Sequence, residues 1–458
     1  MADEPIEIEG DVYALRTDLF QAVREAIAAA DAAAIDRLME PLHAADIADF
    51  LEQIEPHERR RLLEIWQGGL DGEILSEIED SVREEILGYL SPQDLTDAVR
   101  ELESDDVVDL VEYLDDDQQE AVLDVLEPLD RVAVEKALAY PEESAGRLMQ
   151  VETVRAPEHW TVGETIDHLR AHSDELPEQF YHVILVDPRM KPVGNVTLGR
   201  LMSSRREVRL ADIREDLFVT IPATQDEEEV AYAFNQYHLI TAPVVDEDGR
   251  LVGVITIDDA MIVLAEENAE DLLLLAGVGE STVSDRVVAT TRRRFPWLAV
   301  NLVTAILASL VISLFEEVIA GLVALAVLMP IVASMGGNAG TQSLTVAVRA
   351  LATKDLTGSN VLRVIRREVL VGMINGVIFA VVMGVIGLAW FGEPLLGVVI
   401  AAAMVINLVI AGLAGTVIPV ALDRMGVDPA LASGAFVTTV TDVVGFFAFL
   451  GLAALVLL

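Results

Sequence analysis

Cysteine is absent from the 458 residues, so neither a disulfide nor a thiolate metal site can form. Lysine is nearly absent. Lys136, Lys191 and Lys354 stand among 31 basic residues, and arginine supplies the rest. Against them stand 76 acidic residues, for a net charge of −45. This excludes a nucleic-acid binder, because the phosphate backbone would repel the chain. A surface so acidic and poor in lysine fits a high-salt, halophilic cytoplasm, where screening tolerates self-repulsion. The seven histidines show no metal-ligand spacing, and all precede residue 239. No phosphate-binding glycine loop occurs, so pumping by ATP hydrolysis has no support and no enzyme activity is expected. The opening MADEPIEIEG is acidic and has no apolar core. No secretory signal is therefore expected, and the soluble part is expected to stay in the cytoplasm.

The chain is nevertheless 52% hydrophobic. The two facts reconcile if an acidic soluble module, up to about residue 285, is joined to an apolar membrane module from about residue 296. Within the soluble module, residues 15 to about 140 carry apolar positions at three- and four-residue spacing. Three stretches look alike and begin LRTDLFQAVREAIA, LHAADIADFLEQI and LSPQDLTDAVREL. Ser91 before Pro92 is a good helix start. The repetition predicts an all-α superhelical stack of helix pairs.

Two further units follow, each reading helix, strand, turn, strand, helix. The first runs from TVGETIDHLRAH to YHVILVDPRMKPVGNVTLGRLM, the second from DEEEVAYAFNQYHLITAPVV to LVGVITIDDAM. DEDG between PVV and LVGVIT is a hairpin signal. The units resemble a tandem pair of α/β CBS domains. That resemblance implies an adenine nucleotide, ATP or another, in the cleft, held through Thr256 and Asp259. The first unit has Thr197, but Arg200 stands where the acid would be. Read from the residues alone, Thr256 and Asp259 equally cap the following helix. That helix carries Glu266, Glu267, Glu270 and Asp271, a solvated acidic face or a set of carboxylates sharing Mg2+ or Ca2+.

About five spans of the ~20 residues needed to cross a bilayer fit the apolar module. They are expected near 296–315, 319–348, 368–391, 395–422 and 430–457. Arg292, Arg293 and Arg294 precede the first span, and Arg349, Lys354, Arg363, Arg366 and Arg367 lie between the second and third. Those segments are expected on the cytoplasmic side and the C-terminus outside. In the second span Pro330, Gly336, Gly337, Asn338 and Gly340 predict a weakened or broken helix lining a polar cavity, with close packing through small residues as the alternative. The fifth span holds one carboxylate, Asp442, in its middle, and no intramembrane lysine or arginine is available to neutralise it. Such a group is expensive in hydrocarbon and marks an ion path. Asn407 of the fourth span reads as a packing hydrogen bond.

Mg2+ dehydrates reluctantly and keeps an octahedral water shell. In a symmetric dimer, one Asp442 per chain would place two charges on the axis and match a divalent cation. The order of parts, with AYPEESAGRLM, PIVASMGGNAGTQS and DPALASGAFVTTVTDVVGFFAFLG, resembles the MgtE family of magnesium channels over nearly the whole chain. The resemblance implies a multidomain, multi-pass protein of the plasma membrane with lipid and a second copy as partners. Its parts are a helical N-terminal domain (1–145), CBS pair (146–262), acidic connecting plug helix (263–290) and transmembrane pore domain (291–458). It also implies that Asp442 is the selectivity carboxylate, that Asn338 lines the pore, and that Thr438, Gly434 and Gly445 belong to the same path. Ala435 stands where many relatives have proline. Cytosolic Mg2+ is implied to close the pore through Asp258, Asp259, Glu266, Glu267, Glu270 and Asp271. A transporter coupling a divalent cation to Na+ or H+ is the alternative, though the five spans show no inverted repeat.

Overall fold

The computed structural model describes residues 15–66, 69–90, 92–100, 102–112, 114, 116–173, 176–177, 179–278 and 287–457. The MADEPIEIEG segment and Ser91 lie outside the described residues. The chain divides into two compact units, Met1–Ala265 and Glu266–Leu458.

The first unit opens with helices α1 (Thr17–Ala29), α2 (Ala32–Met39), α3 (Ala44–Gln53), α4 (Pro56–Ile65), α5 (Gly72–Ser76), α6 (Asp80–Leu87), α7 (Pro92–Val99), α8 (Ser104–Glu112), α9 (Asp116–Leu123) and α10 (Pro128–Ala137). Polar side chains start them. Asp31 and Asp71 accept from the Ala34 and Ile74 amides at 3.1 and 2.9 Å. A Glu55–Glu58 capping box precedes α4, with Pro56 at its first position. Packing runs between near neighbours: α1 on α2 and α4, α3 on α5, α5 on α7 and α8, α7 on α9, α8 on α10. This is the stack that the repeats predict. Ile35, Met39, Phe50, Leu51, Leu62, Leu75 and Ile86 form its core. Arg59 is buried there, but its guanidinium donates to the Leu51 and Ile54 carbonyls and to Glu85, which satisfies the charge.

After α11 (Ala145–Leu148) come two sheets of one design. In the first, β1 (Arg155–Pro157) runs parallel to β2 (His182–Val186), which pairs antiparallel with β3 (Pro192–Thr197). In the second, β4 (Ile221–Pro222), β5 (Thr241–Val245) and β6 (Leu251–Thr256) repeat that order. The helices α12 (Val162–Ala171), α13 (Leu198–Ser203) and α14 (Glu227–Tyr237) accompany them. DEDG is the β5–β6 turn: Gly249 takes φ +75°, and Asp246 accepts the Arg250 amide at 2.8 Å. Ile184, Val186, Leu251 and Val254 join the two sheets. The parallel strands β1 and β4 are additions to the expected pattern, too short for an alternation to show. Helix α15 (Ile257–Leu275) follows β6 directly.

The second unit contains α16 (Val287–Ser313), α17 (Glu316–Gly321), α18 (Ala324–Ala352), α19 (Val361–Phe391), α20 (Pro394–Arg424) and α21 (Pro429–Val456). All but α17 include a segment long and apolar enough to cross a membrane. The expected second span is two elements, since α17 is separate from α18. The expectation of a broken helix does not hold: α18 is one helix through Pro330 and the glycines. Val332, Gly336 and Gly340 are buried against protein, so close packing offsets what these residues lose in an isolated helix. Helix α20 is central and packs on α18, α19 and α21. It approaches α19 closely at Gly372, where a Cβ would lie 2.4 Å from the Leu408 carbonyl oxygen. Aliphatic side chains such as Leu302, Ile306, Val381 and Val398 are exposed, as suits a lipid-facing surface.

Candidate ion path and regulatory carboxylates

Asp442 lies halfway along α21 and is half-buried. Among the described residues its carboxylate has no hydrogen-bond or ion-pair partner. The hydroxyls around it are satisfied within the helix. Thr438 Oγ1 donates to the Gly434 carbonyl at 2.8 Å, Thr439 to Ala435 at 2.5 Å, and Thr441 to Thr438 at 3.0 Å. Gly434, Thr438 and Asp442 recur every four residues and share a face.

On α18, Ser334, Asn338, Thr341 and Thr345 form an exposed polar stripe. Thr341 and Thr345 bond back to the Gly337 and Thr341 carbonyls, both at 3.0 Å. Asn338 keeps its amide without a partner among the described residues. The two helices touch through small residues. A Cβ on Gly340 would lie 2.6 Å from Val437 Cγ1 and 3.5 Å from Thr441 Cγ2, and one on Gly337 would lie 3.8 Å from Thr438 Cγ2. Gly445 belongs to a different contact: it is buried against Asn407 of α20. Asn407 donates to the Val332 carbonyl at 2.8 Å, the packing bond expected of it.

At one end of this pair, Leu274 and Leu275 of α15 pack with Leu344, Val348, Ala430 and Val437. Burial, helped by Asp428, pushes the Asp271 carboxyl above its ordinary range. Glu266, Glu267 and Glu270 lie on the same helix, and each has an interaction of its own.

The first unit sets Asp258 and Asp259 beside three acids that the sequence did not single out, Glu103, Asp105 and Asp106. Ser104 at the start of α8 donates to Glu152 at 2.7 Å and accepts the Val151 amide at 2.8 Å, while Gln150 donates to Glu103 at 2.9 Å. Docked this way, Glu103, Asp105 and Asp106 come within electrostatic reach of Asp258 and Asp259. Burial, then Asp259 and Asp109, pushes Asp106 up to about 7. Burial, then Asp259 and Asp106, holds Asp105 well above the carboxylate range. Asp259 is raised to about 6, again mainly by burial. Among the described residues no three Asp, Glu or His converge tightly enough to enclose a bare metal ion.

Thr256 and Asp259 are bonded to each other, Oγ1 to Oδ2, at 2.6 Å. In the first CBS unit Thr197 caps α13 by accepting the Arg200 amide at 3.3 Å, and Arg200 donates to the Arg214 carbonyl at 3.2 Å.

The family model described as "Divalent cation transporter" matches residues 329–452. That described as "MgtE intracellular N domain" matches 42–143, and the CBS domain model matches 211–266. The magnesium transporter MgtE of Bacillus subtilis is 30% identical over 91% of this chain and 92% of its own. That of Thermus thermophilus is 33% identical over 95% and 98%. A crystal structure of the cytosolic domain of the Mg2+ channel MgtE in complex with ATP is 30% identical, covering 53% of this chain and 99% of that one with a TM-score of 0.49. With 30% and 33% identity over more than nine-tenths of this chain and of those transporters, the chain belongs to the MgtE family of divalent cation transporters.

Proposed function

We propose that two copies of this chain form a passive Mg2+ channel for uptake, closed by cytosolic Mg2+. The observation that carries this reading is Asp442, a half-buried carboxylate with no partner among the described residues, midway along an apolar helix. Two such carboxylates on a dimer axis repel without a cation and are neutralised by one divalent ion. Asn338, Thr438 and the backbone at Gly434 offer oxygen ligands to the ion's water shell, while Gly445 serves the path through packing.

The gate draws on two sets of carboxylates. Mg2+ among Asp258, Asp259 and the α8 acids stabilises the docked helical domain, and Mg2+ at Glu266, Glu267, Glu270 and Asp271 holds α15 at the ends of α18 and α21. We assign residues 1–145, 146–262, 263–290 and 291–458 to the helical, CBS, plug and pore domains. The arginine-rich segments support soluble domains in the cytoplasm and a C-terminus outside. An adenine nucleotide at the CBS pair would take the Asp259 carboxylate away from Thr256, so nucleotide and cation compete for one group.

The test is Mg2+ uptake into proteoliposomes under a membrane potential, with no Na+ or H+ gradient, by the wild type and Asp442→Asn. Uptake by the wild type alone supports the channel. Uptake that starts only when a Na+ or H+ gradient is imposed replaces it with coupled transport.

A further inference from the structure

Asn407 is the only asparagine of α20 and is fully buried. Its neighbours along the helix, Ala403, Met404, Leu408 and Ala411, are equally buried and apolar. An amide in such surroundings is unfavourable unless paired. Only half of this one is paired. Nδ2 donates to the Val332 carbonyl at 2.8 Å, and Oδ1 has no hydrogen-bond partner among the described residues. A leucine of similar size removes the unpaired Oδ1 together with the Nδ2 donor, so the net cost of the exchange to stability is small.

The amide is wedged between two glycines on two other helices. A Cβ on Gly336 of α18 would lie 2.2 Å from Nδ2, and one on Gly445 of α21 would lie 2.8 Å from Nδ2 and 3.1 Å from Oδ1. Gly336 is two residues from Asn338, and Gly445 is three from Asp442. At the helical rise, those offsets are about 3 and 4.5 Å along the axes. A change in how Asn407 fills this gap is therefore transmitted toward both ion-path side chains, because a close-packed interior has low compressibility and passes strain on.

We infer that Asn407 is a positioning residue of the ion path: wedged between Gly336 and Gly445 and bonded to the Val332 carbonyl, it sets the separation of the helices that carry Asn338 and Asp442. It touches no ion and acts only through α18 and α21. The assignment rests on the reading of Asp442 as the pore carboxylate. It makes Gly445 and Asn407 a matched pair of sizes, so that a side chain added at one position demands a smaller one at the other.

The experiment uses the full chain in proteoliposomes and reads half-saturating Mg2+, maximum flux and the ratio of Mg2+ to Ca2+ flux. Thermal stability in detergent is measured separately. Asn407→Leu is expected to keep its thermal midpoint while the Mg2+ to Ca2+ ratio falls about tenfold, the scale of a small misplacement at a preorganised site. Gly445→Ala is expected to lose flux, and Gly445→Ala with Asn407→Ala to regain part of it. A folded Asn407→Leu with wild-type ratio and half-saturation overturns the inference and leaves a packing bond. Should Asn407→Leu not fold, the glycine pair decides: absence of any recovery in the folded double variant overturns it equally. Asp442→Asn is measured alongside. If it keeps full flux, the pore reading itself falls, and this inference with it. If it is silent while Asn407→Leu behaves as wild type, only the role of Asn407 falls.

Discussion

Thr256 Oγ1 donates to Asp259 Oδ2 at 2.6 Å, and the Thr256 amide reaches the same oxygen at 3.4 Å. One carboxylate thus caps the start of α15 while facing the acids of α8. Thr256→Val removes the hydroxyl donor and keeps the shape. It is expected to lower stability by about 1 kcal/mol, typical of a lost hydrogen bond, read as a lower thermal midpoint of the detergent-solubilised protein. It also removes a bond that favours ionised Asp259, so Asp259 should hold its proton to still higher pH.

The raised carboxyls fix the sign of a pH effect. Asp106 titrates near about 7 and Asp259 near about 6 in the folded unit, against an ordinary value of 3.8. The folded unit therefore binds more protons than the unfolded chain between roughly pH 4 and 7. The stabilisation is complete below that window and is lost as pH rises through it. Without divalent cations, α8 should become more open to proteolysis or hydrogen exchange from pH 5 to pH 8. Asp106→Asn should flatten that profile, and Mg2+ at pH 8 should restore protection.

Leu274 is buried against the ends of α18 and α21. Burying a leucine is worth about 1.5–3 kcal/mol, so Leu274→Ser should weaken this docking about tenfold or more. Under the proposed gating, the measurable outcome is flux that persists at cytosolic Mg2+ concentrations expected to close the wild type. A variant as sensitive to Mg2+ as the wild type would separate α15 from gating.

The regions that could be read in advance share a cause. A lone carboxylate in an apolar run, five such runs, and DEDG between two β-branched strands are local signals, and α21 and the β5–β6 hairpin follow from them. Helix α18 misleads because proline and glycine weaken helices in water, while here Gly336 and Gly340 pack closely on α20 and α21. Glu103, Asp105 and Asp106 are invisible among 76 acidic residues until α8 is docked on Val151 and Glu152. The true neighbour of Gly445 is 38 positions away in sequence, at Asn407, and no spacing reveals it.

Ser343 Oγ donates to Glu368 at 2.9 Å, joining α18 to α19 where both side chains are buried. Ser343→Ala removes that donor, and a penalty of about 1–3 kcal/mol is expected. Glu368→Gln can still accept the bond and should lose less than Glu368→Ala. Thermal midpoints of the three variants in detergent give the order directly.

The most direct measurement is the reversal potential of current through the reconstituted protein when Mg2+ is the only ion held in a gradient. Reversal is expected at the Mg2+ equilibrium potential, unmoved by Na+ or H+ gradients, with no such current in Asp442→Asn. Reversal that follows Na+ or H+, or an undiminished current in Asp442→Asn, would contradict a passive Mg2+ path through Asp442.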